Sequence, residues 1–394
     1  MFTAIFLKWN MTYVLPIVFL GFALIPFVTG INLSNIQFGQ VKHSKKMGIK
    51  KLIQILINHE VFKTNLAHDD NLSKLDSIKN GASDYYKNHI SPLKFELENF
   101  RGDMLDEFSK KFFYATLGTA ITLPLFIFLG LHLNDMDITL GSLVIIAGLF
   151  YWAFGPSRKY NLYIKEKVYT GLVTFLGESN SYSPTGGNIK NKALEFGVIP
   201  RYDAWYSEDS IKLKHEEVSI EVEEAIIKKE KGSGKRRRKV TIFRGLLIIA
   251  EMNKNFKGQT IAKADLGKIG NWFGEKFSKL EKVSLEDPLF EKEFEVYSSD
   301  QVEARYLLTA AFMERIQKLK DFFQEMAGKG TGDFQFSFFG NDLMIMIPCS
   351  KNLFEPHPLT EPSISVEEVA NFLQEMTYIF EVIDQLKLNM NIGM

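Results

Sequence analysis

Phe290 to Thr309, FEKEFEVYSSDQVEARYLLT, reads as a strand that breaks into a capped helix. Phe290, Phe294 and Val296 alternate with Glu293, Glu295 and Tyr297, the two-residue period of a half-buried strand. Ser298 and Ser299 stop it. Ser298 with Gln301, and Asp300 with Glu303, both have capping-box spacing, so orphan N–H groups at a helix start can be satisfied. Beyond them Val302, Tyr306, Thr309, Met313, Ile316, Leu319 and Phe323 keep to one helical face. Gly328, Gly330 and Gly332 end the helix.

The surrounding chain repeats this α+β pattern from Phe196 onward. Val218, Ile220 and Val222 alternate with polar residues as a strand. Residues 240–250, VTIFRGLLIIA, are a near-continuous apolar run and predict a central strand covered on both faces. KKEKGSGKRRRK between them is a hairpin tip. Phe334, Phe336 and Phe338 predict another strand, Gly340-Asn341-Asp342 its turn, and Leu343 to Ile347 its partner. Ser365 with Glu368 caps a last helix that buries Val366, Val369, Leu373, Met376, Phe380 and Ile383.

The N-terminal half has a different character. Met11 to Ile31 holds no charge over 21 residues, long enough to cross about 30 Å of hydrocarbon. A small-residue cleavage pattern is missing, which favours an uncleaved anchor over a signal peptide. Lys42, Lys45, Lys46, Lys50 and Lys51 follow, then an amphipathic start at Ile49–Ile57 and a turn near Asp69. Ser91-Pro92 opens a long helix that runs into a second span, Phe112 to Leu133. An acidic loop at Asn134–Asp137 leads to a third, Ile138 to Gly155. Thr116, Gly118, Thr119, Ala120 and Thr122 give the second span a small-residue face. No carboxylate, Lys or Arg lies inside a span, which argues against a proton-coupled transporter or ion pump. Arg101, Lys110 and Lys111 precede the hairpin, and Arg158, Lys159, Lys165 and Lys167 follow it. The positive-inside rule then puts both flanks in the cytoplasm and the acidic turn outside. A further helix runs to about Phe175, and Gly177–Asn191, rich in Ser, Asn and Gly, predicts a linker.

The expected fold class is therefore a membrane α-helical protein, a transmembrane hairpin plus an N-terminal span, with a cytoplasmic α+β domain. That domain contains an antiparallel sheet and two long amphipathic helices. The expected divisions are an anchor at 1–40, a cytoplasmic helical region at 41–111 and the hairpin at 112–155. A juxtamembrane helix and linker at 156–195 then lead to the α+β domain at 196–394.

Chemistry is harder to find. The 394 residues carry zero net charge, so bulk charge predicts no nucleic-acid partner. The single cysteine, Cys349, excludes an intramolecular disulfide and a multi-cysteine metal site. Gly232-Ser233-Gly234-Lys235 lacks the full phosphate-loop spacing. There is no GxSxG, HExxH or His/Cys cluster, and the reading calls for no metal and no cofactor. Lys235, Arg236, Arg237, Arg238 and Lys239 form the clearest binding run. A solvated hairpin tip is the plain reading, contact with anionic headgroups the sharper one. Nucleic acid is disfavoured because no aromatics interleave. Arg244 in an apolar strand, and Arg305 beside Tyr306, each need partners if buried, with Glu291, Glu303, Asp287 or Asp300 as candidates.

Several strings converge on one family. FGVIPRYDAWYSED at 196–209, Phe243-Arg244-Gly245 with Asn253–Gly258 after it, FEVYSSDQVEARYLLT at 294–309, and Phe354-Glu355-Pro356 occur in this order. The chain resembles the uncharacterised bacterial membrane-protein family named domain of unknown function 3137, from about Ser91 onward. The resemblance implies a membrane hairpin with a cytoplasmic C-terminal domain and supplies no catalytic residue. It also suggests a LemA-type helical membrane protein as a neighbour. The expectation is a bacterial inner-membrane protein whose cytoplasmic domain binds a protein partner, or itself, and organises a membrane assembly without catalysis. The alternative is a domain recognising anionic lipid or phosphate, even hydrolytic, through the basic hairpin and Arg305 with Asp300.

Overall fold

The computed structural model describes residues 72–234, 237–252, 255–264 and 280–391. The first span expected at Met11–Ile31, the basic flank and amphipathic start after it, and the turn near Asp69 lie outside the described residues. The chain forms two compact units.

The first unit holds Phe95–Asn161 together with His357–Ser363. Most of helix α3 (Lys94–His132) and all of α4 (Met136–Ala153) belong to it. Two short helices, α1 (Ser73–Ile78) and α2 (Ala82–Tyr85), precede them in the chain and belong to the second unit. Asn134 takes a positive φ in the turn, and Asp135 caps α4 by accepting the Asp137 N–H at 2.9 Å. Both residues come from the predicted acidic loop. Thr116, Thr119 and Thr122 each donate to the carbonyl four residues back at 2.8 Å, so the hydroxyls are satisfied within their own helix. Gly118 lets Leu149 of α4 approach closely, as a small-residue face should.

By length and composition, two helices among the described residues could cross a membrane: the continuous helical stretches Ala82–His132 and Asp137–Leu176. Their apolar surface is open. Phe113, Ile121 and Phe128 on α3 and Leu140 and Val144 on α4 are all exposed.

The second unit is built on one nine-stranded antiparallel sheet, in the order β1-β2-β3-β4-β9-β8-β5-β7-β6. The strands are β1 (Ser181–Ser183), β2 (Ala204–His215), β3 (Val218–Lys231), β4 (Arg238–Glu251) and β5 (Thr260–Lys263). They continue with β6 (Glu281–Lys282), β7 (Glu295–Ser298), β8 (Gln335–Phe339) and β9 (Asp342–Pro348). The helices are α5 (Gly155–Ile164), which starts in the first unit, then α6 (Thr170–Leu176) and α7 (Ile189–Glu195). After them come α8 (Pro288–Glu293), α9 (Gln301–Leu307), α10 (Ala310–Ala327) and α11 (Val366–Asn391).

Strand β4 is the predicted central strand. Leu246, Leu247, Ile248 and Ile249 are all buried, each contributing about 1.5–3 kcal/mol. On one face Ala225, Ile227, Phe243, Leu247, Ile249 and Met344 pack with Ile189, Ala193 and Phe196 from around α7. On the other, Phe336 and Phe338 of β8 meet Phe312 of α10, and Phe336 also meets Phe290 and Phe294. Burial on both faces explains why an antiparallel strand reads as an unbroken apolar run. Gly245, with φ +152, brings β4 so close to β9 that a Cβ would overlap the Ile347 carbonyl.

Four local readings need correction. Phe290 lies in helix α8, not in a strand, because Asp287 accepts the N–H groups of Leu289 and Phe290 at 2.8 and 3.1 Å and Pro288 sets the first helical residue. The strand begins only at Glu295. The expected single helix is two, since Thr309 caps a new helix by accepting from Phe312 N at 3.3 Å. Val302 consequently leaves the buried face and is 78% exposed. Asp300 is the working cap of α9, accepting from Val302 N and Glu303 N at 3.0 and 2.9 Å. Glu303 does not close the box; it accepts the Lys257 and Gly258 N–H groups, both at 2.9 Å. Gly177–Asn191 contains strand β1 and the start of α7 rather than a plain linker.

Candidate functional site: a buried ion network

The sheet unit buries a concentrated set of charged side chains. It forms where β2 bulges between Glu208 and Ile211. The bulge gives Asp209 a φ of +50, and Phe354, after β9, has +51. Non-glycine residues in this region cost about 1–3 kcal/mol each and persist where the surroundings fix them. Here the fixing group is Lys165, in a five-residue π-helical stretch (Lys165–Tyr169) between α5 and α6. Its Nζ lies 2.6 Å from Asp209 Oδ2 and 2.9 Å from Glu355 Oε1, and the side chain is only 6% exposed.

The network extends along the strands. Tyr182 of β1 donates its hydroxyl to Asp209 Oδ1. Glu208 sits directly opposite Glu224 in the β2–β3 register. Asn352 Nδ2 donates to Glu208 Oε1 at 3.3 Å, and its Oδ1 accepts from Arg244 of β4. Glu224 Oε2 accepts from Leu353 N at 3.0 Å. The segment after β9 thus ties β2, β3 and β4 together.

Burial dominates the electrostatics. It pushes Asp209 up to about 6 against the opposing pull of Lys165. It pushes Glu224 up to about 9, helped by the charge of Glu208 across the rung. Glu208 is raised as well, again chiefly by burial and partly offset by Lys165. Burial and the neighbouring Asp209 hold the Tyr182 hydroxyl firmly protonated. Glu224 is therefore neutral at pH 7, which relieves the like-charge pair.

Glu208, Asp209 and Glu355 place one carboxylate oxygen each within 4.8 Å of one another. An all-oxygen set of this kind suits a hard divalent cation. Lys165 already supplies a positive charge within hydrogen-bond distance of two of the three, so the arrangement reads as an ion-paired network.

The residues singled out in the sequence are spread over the unit. Arg237 is exposed and pairs with Glu230 at 2.7 Å; Arg238 and Lys239 are exposed at the start of β4. Lys235 and Arg236 lie outside the described residues. Arg244 does join the network, with Asn352 as its partner and not Glu291, Glu303, Asp287 or Asp300. Arg305 is exposed and reaches Ser284 O and Gln301 Oε1, while Asp300 serves as a helix cap. Arg305 with Asp300 is thus not a paired unit.

Lys165, Tyr182, Asp209 and Glu355 escaped sequence reasoning as site residues. They span 190 positions and share no spacing motif. The one available sign is that Glu208-Asp209 and Glu355 lie within the specific strings 196–209 and 354–356.

The unit is an antiparallel-sheet domain with helices on both faces, and among the described residues two helices are apolar enough for a bilayer. Residues 241–388 match the family model described as Protein of unknown function (DUF3137), the family that the sequence strings resemble. The matched region runs from within β4 into α11 and includes Arg244, Asn352 and Glu355. No curated protein and no solved structure matches the chain.

Proposed function

We propose that this chain is a membrane-anchored binding module. Its apolar helices cross the bacterial inner membrane, and its sheet domain, in the cytoplasm, engages a helical membrane protein or a second copy of itself to organise an assembly. The observation that carries the anchoring is the exposed apolar surface of α3 and α4, whose threonine hydroxyls are satisfied internally. Bases flank the hairpin and two aspartates mark its turn, which supports a cytoplasmic sheet domain. The closed pairing of Lys165 with Asp209 and Glu355 favours a structural role for the charges and a binding role for the domain.

In-cell crosslinking, mild-detergent purification of the full chain and mass spectrometry test this. A stoichiometric membrane partner, or a crosslinked copy of the chain, is expected. A monomer that carries no partner under crosslinking overturns the assembly reading.

A further inference from the structure

The β3–β4 hairpin runs past both of its neighbours. β2 pairs with β3 only as far as Ala204 opposite Lys228, and β9 pairs with β4 only from Pro348 opposite Gly245. The last rungs, Lys229–Val240, Glu230–Lys239 and Lys231–Arg238, pair with no further strand among the described residues, and the Asp203 carboxylate reaches them, accepting from Glu230 N at 2.6 Å. Residues 228–239 contain eight bases and one acid, Glu230, and that acid is engaged by Arg237. Lys231, Arg237, Arg238 and Lys239 are exposed.

Aromatic rings stand at the root of this finger. Tyr206 is 51% exposed, with Lys228 Nζ 5.2 Å from its centre. Tyr202 and Trp205 meet edge to face at 5.7 Å, with Lys190 Nζ 5.4 Å from the Tyr202 ring. The sequence run of bases shows no aromatics, yet the β2–β3 register brings Trp205 and Tyr206 beside its root, with Tyr202 just ahead of β2; Tyr206 is the exposed ring, while Tyr202 and Trp205 also pack on the core. Amphipathic rings beside a row of bases are the combination that settles at a headgroup layer, rings at the interface and cations on phosphates. A nucleic acid would use the same bases. The bilayer is favoured because the chain carries its own apolar helices, and tethering turns a weak second contact into an intramolecular one.

We propose that the β3–β4 hairpin docks on anionic phosphate headgroups of the leaflet that holds the chain. This rests on the anchoring part of the reading above and is independent of any protein partner.

The test uses the full chain with Ser233→Cys at the exposed tip. The single native thiol, Cys349, is buried and pushed up to about 12, so a maleimide fluorophore goes to the tip. The labelled chain is placed in nanodiscs of phosphatidylcholine alone or with phosphatidylglycerol, each with a headgroup nitroxide quencher. Incorporation is scored first by size exclusion; failure to enter the discs removes the anchoring reading and this docking with it. Quenching is expected only in the anionic discs, reversed by salt. It should weaken when Lys231, Arg237, Arg238 and Lys239 become Gln, by about fivefold in the docking constant per base. Equal quenching in both disc types overturns the docking alone. So does a response in neutral discs to inorganic phosphate, which makes free phosphate the ligand, or displacement from anionic discs by a short RNA that binds more tightly.

Discussion

Replacing Lys165 by Met should destabilise the sheet unit in a way that depends on pH. The ammonium sits between Asp209, fully buried, and Glu355, whose side chain is 30% exposed. Removing one member of a buried pair costs about 3–5 kcal/mol; the exposure of Glu355 screens its share and points to the lower end. Asp209 supplies the pH dependence. Its folded value of about 6 exceeds 3.8, so its contribution is complete below about 3.8, falls as pH rises through about 6, and is level above that. Without Lys165 the folded value moves higher still, and the variant goes on losing about 1.4 kcal/mol per pH unit where the wild type has levelled off. The gap between the two should therefore widen as pH rises from 6 towards 8. Urea unfolding of both full chains in one detergent, followed by far-UV circular dichroism, measures it. A gap that stays constant over that range, or a total loss under about 1 kcal/mol, refutes the network as described.

Three further outcomes are expected. Glu224→Gln should gain on the wild type as pH rises from 5 towards 9, because a carboxyl raised from 4.5 to about 9 loses stability throughout that window and an amide does not titrate; parallel urea midpoints across the range check this. Gly245→Ala should cost more than about 3 kcal/mol, since both the φ of +152 and the Ile347 carbonyl oppose a Cβ; a drop in folded yield and thermal midpoint reads it. Asp300→Ala should cost about 1 kcal/mol through the lost cap of α9, while Asp300→Asn recovers most of it, as the same urea assay would show.

Much of the sheet was legible because its signals are local. The apolar run at 240–250 lies inside β4, Phe336 and Phe338 lie inside β8 with Phe334 just ahead of it, and the turn at Gly340-Asn341 falls between β8 and β9. The cap at Ser365 is also local, with Glu368 N donating to Ser365 Oγ at 3.1 Å. Where the reading slipped, two local rules competed. Asp287-Pro288 started a helix over residues whose spacing also fits a strand, and Thr309 looked like a face residue when it was a cap. The ion network was illegible for another reason. Lys165, Asp209 and Glu355 meet only because a π-helical turn, a strand bulge and a post-strand loop converge, and none of those three has a spacing rule. Arg244 was noticeable because a charge in an apolar strand needs a partner, but the sequence could not say that the partner was Asn352.

The most direct measurement of the central claim, a membrane-anchored chain with a cytoplasmic sheet domain, is compartment-specific thiol labelling in intact cells. Asn134→Cys lies in the turn between α3 and α4, and Ser233→Cys at the tip of the β3–β4 hairpin. With Cys349 buried, each variant reports a single site. The account predicts that a membrane-impermeant maleimide reaches Cys at 134 from outside an opened envelope and reaches the hairpin position only after lysis. Labelling of both positions from outside, or of neither until lysis, contradicts it.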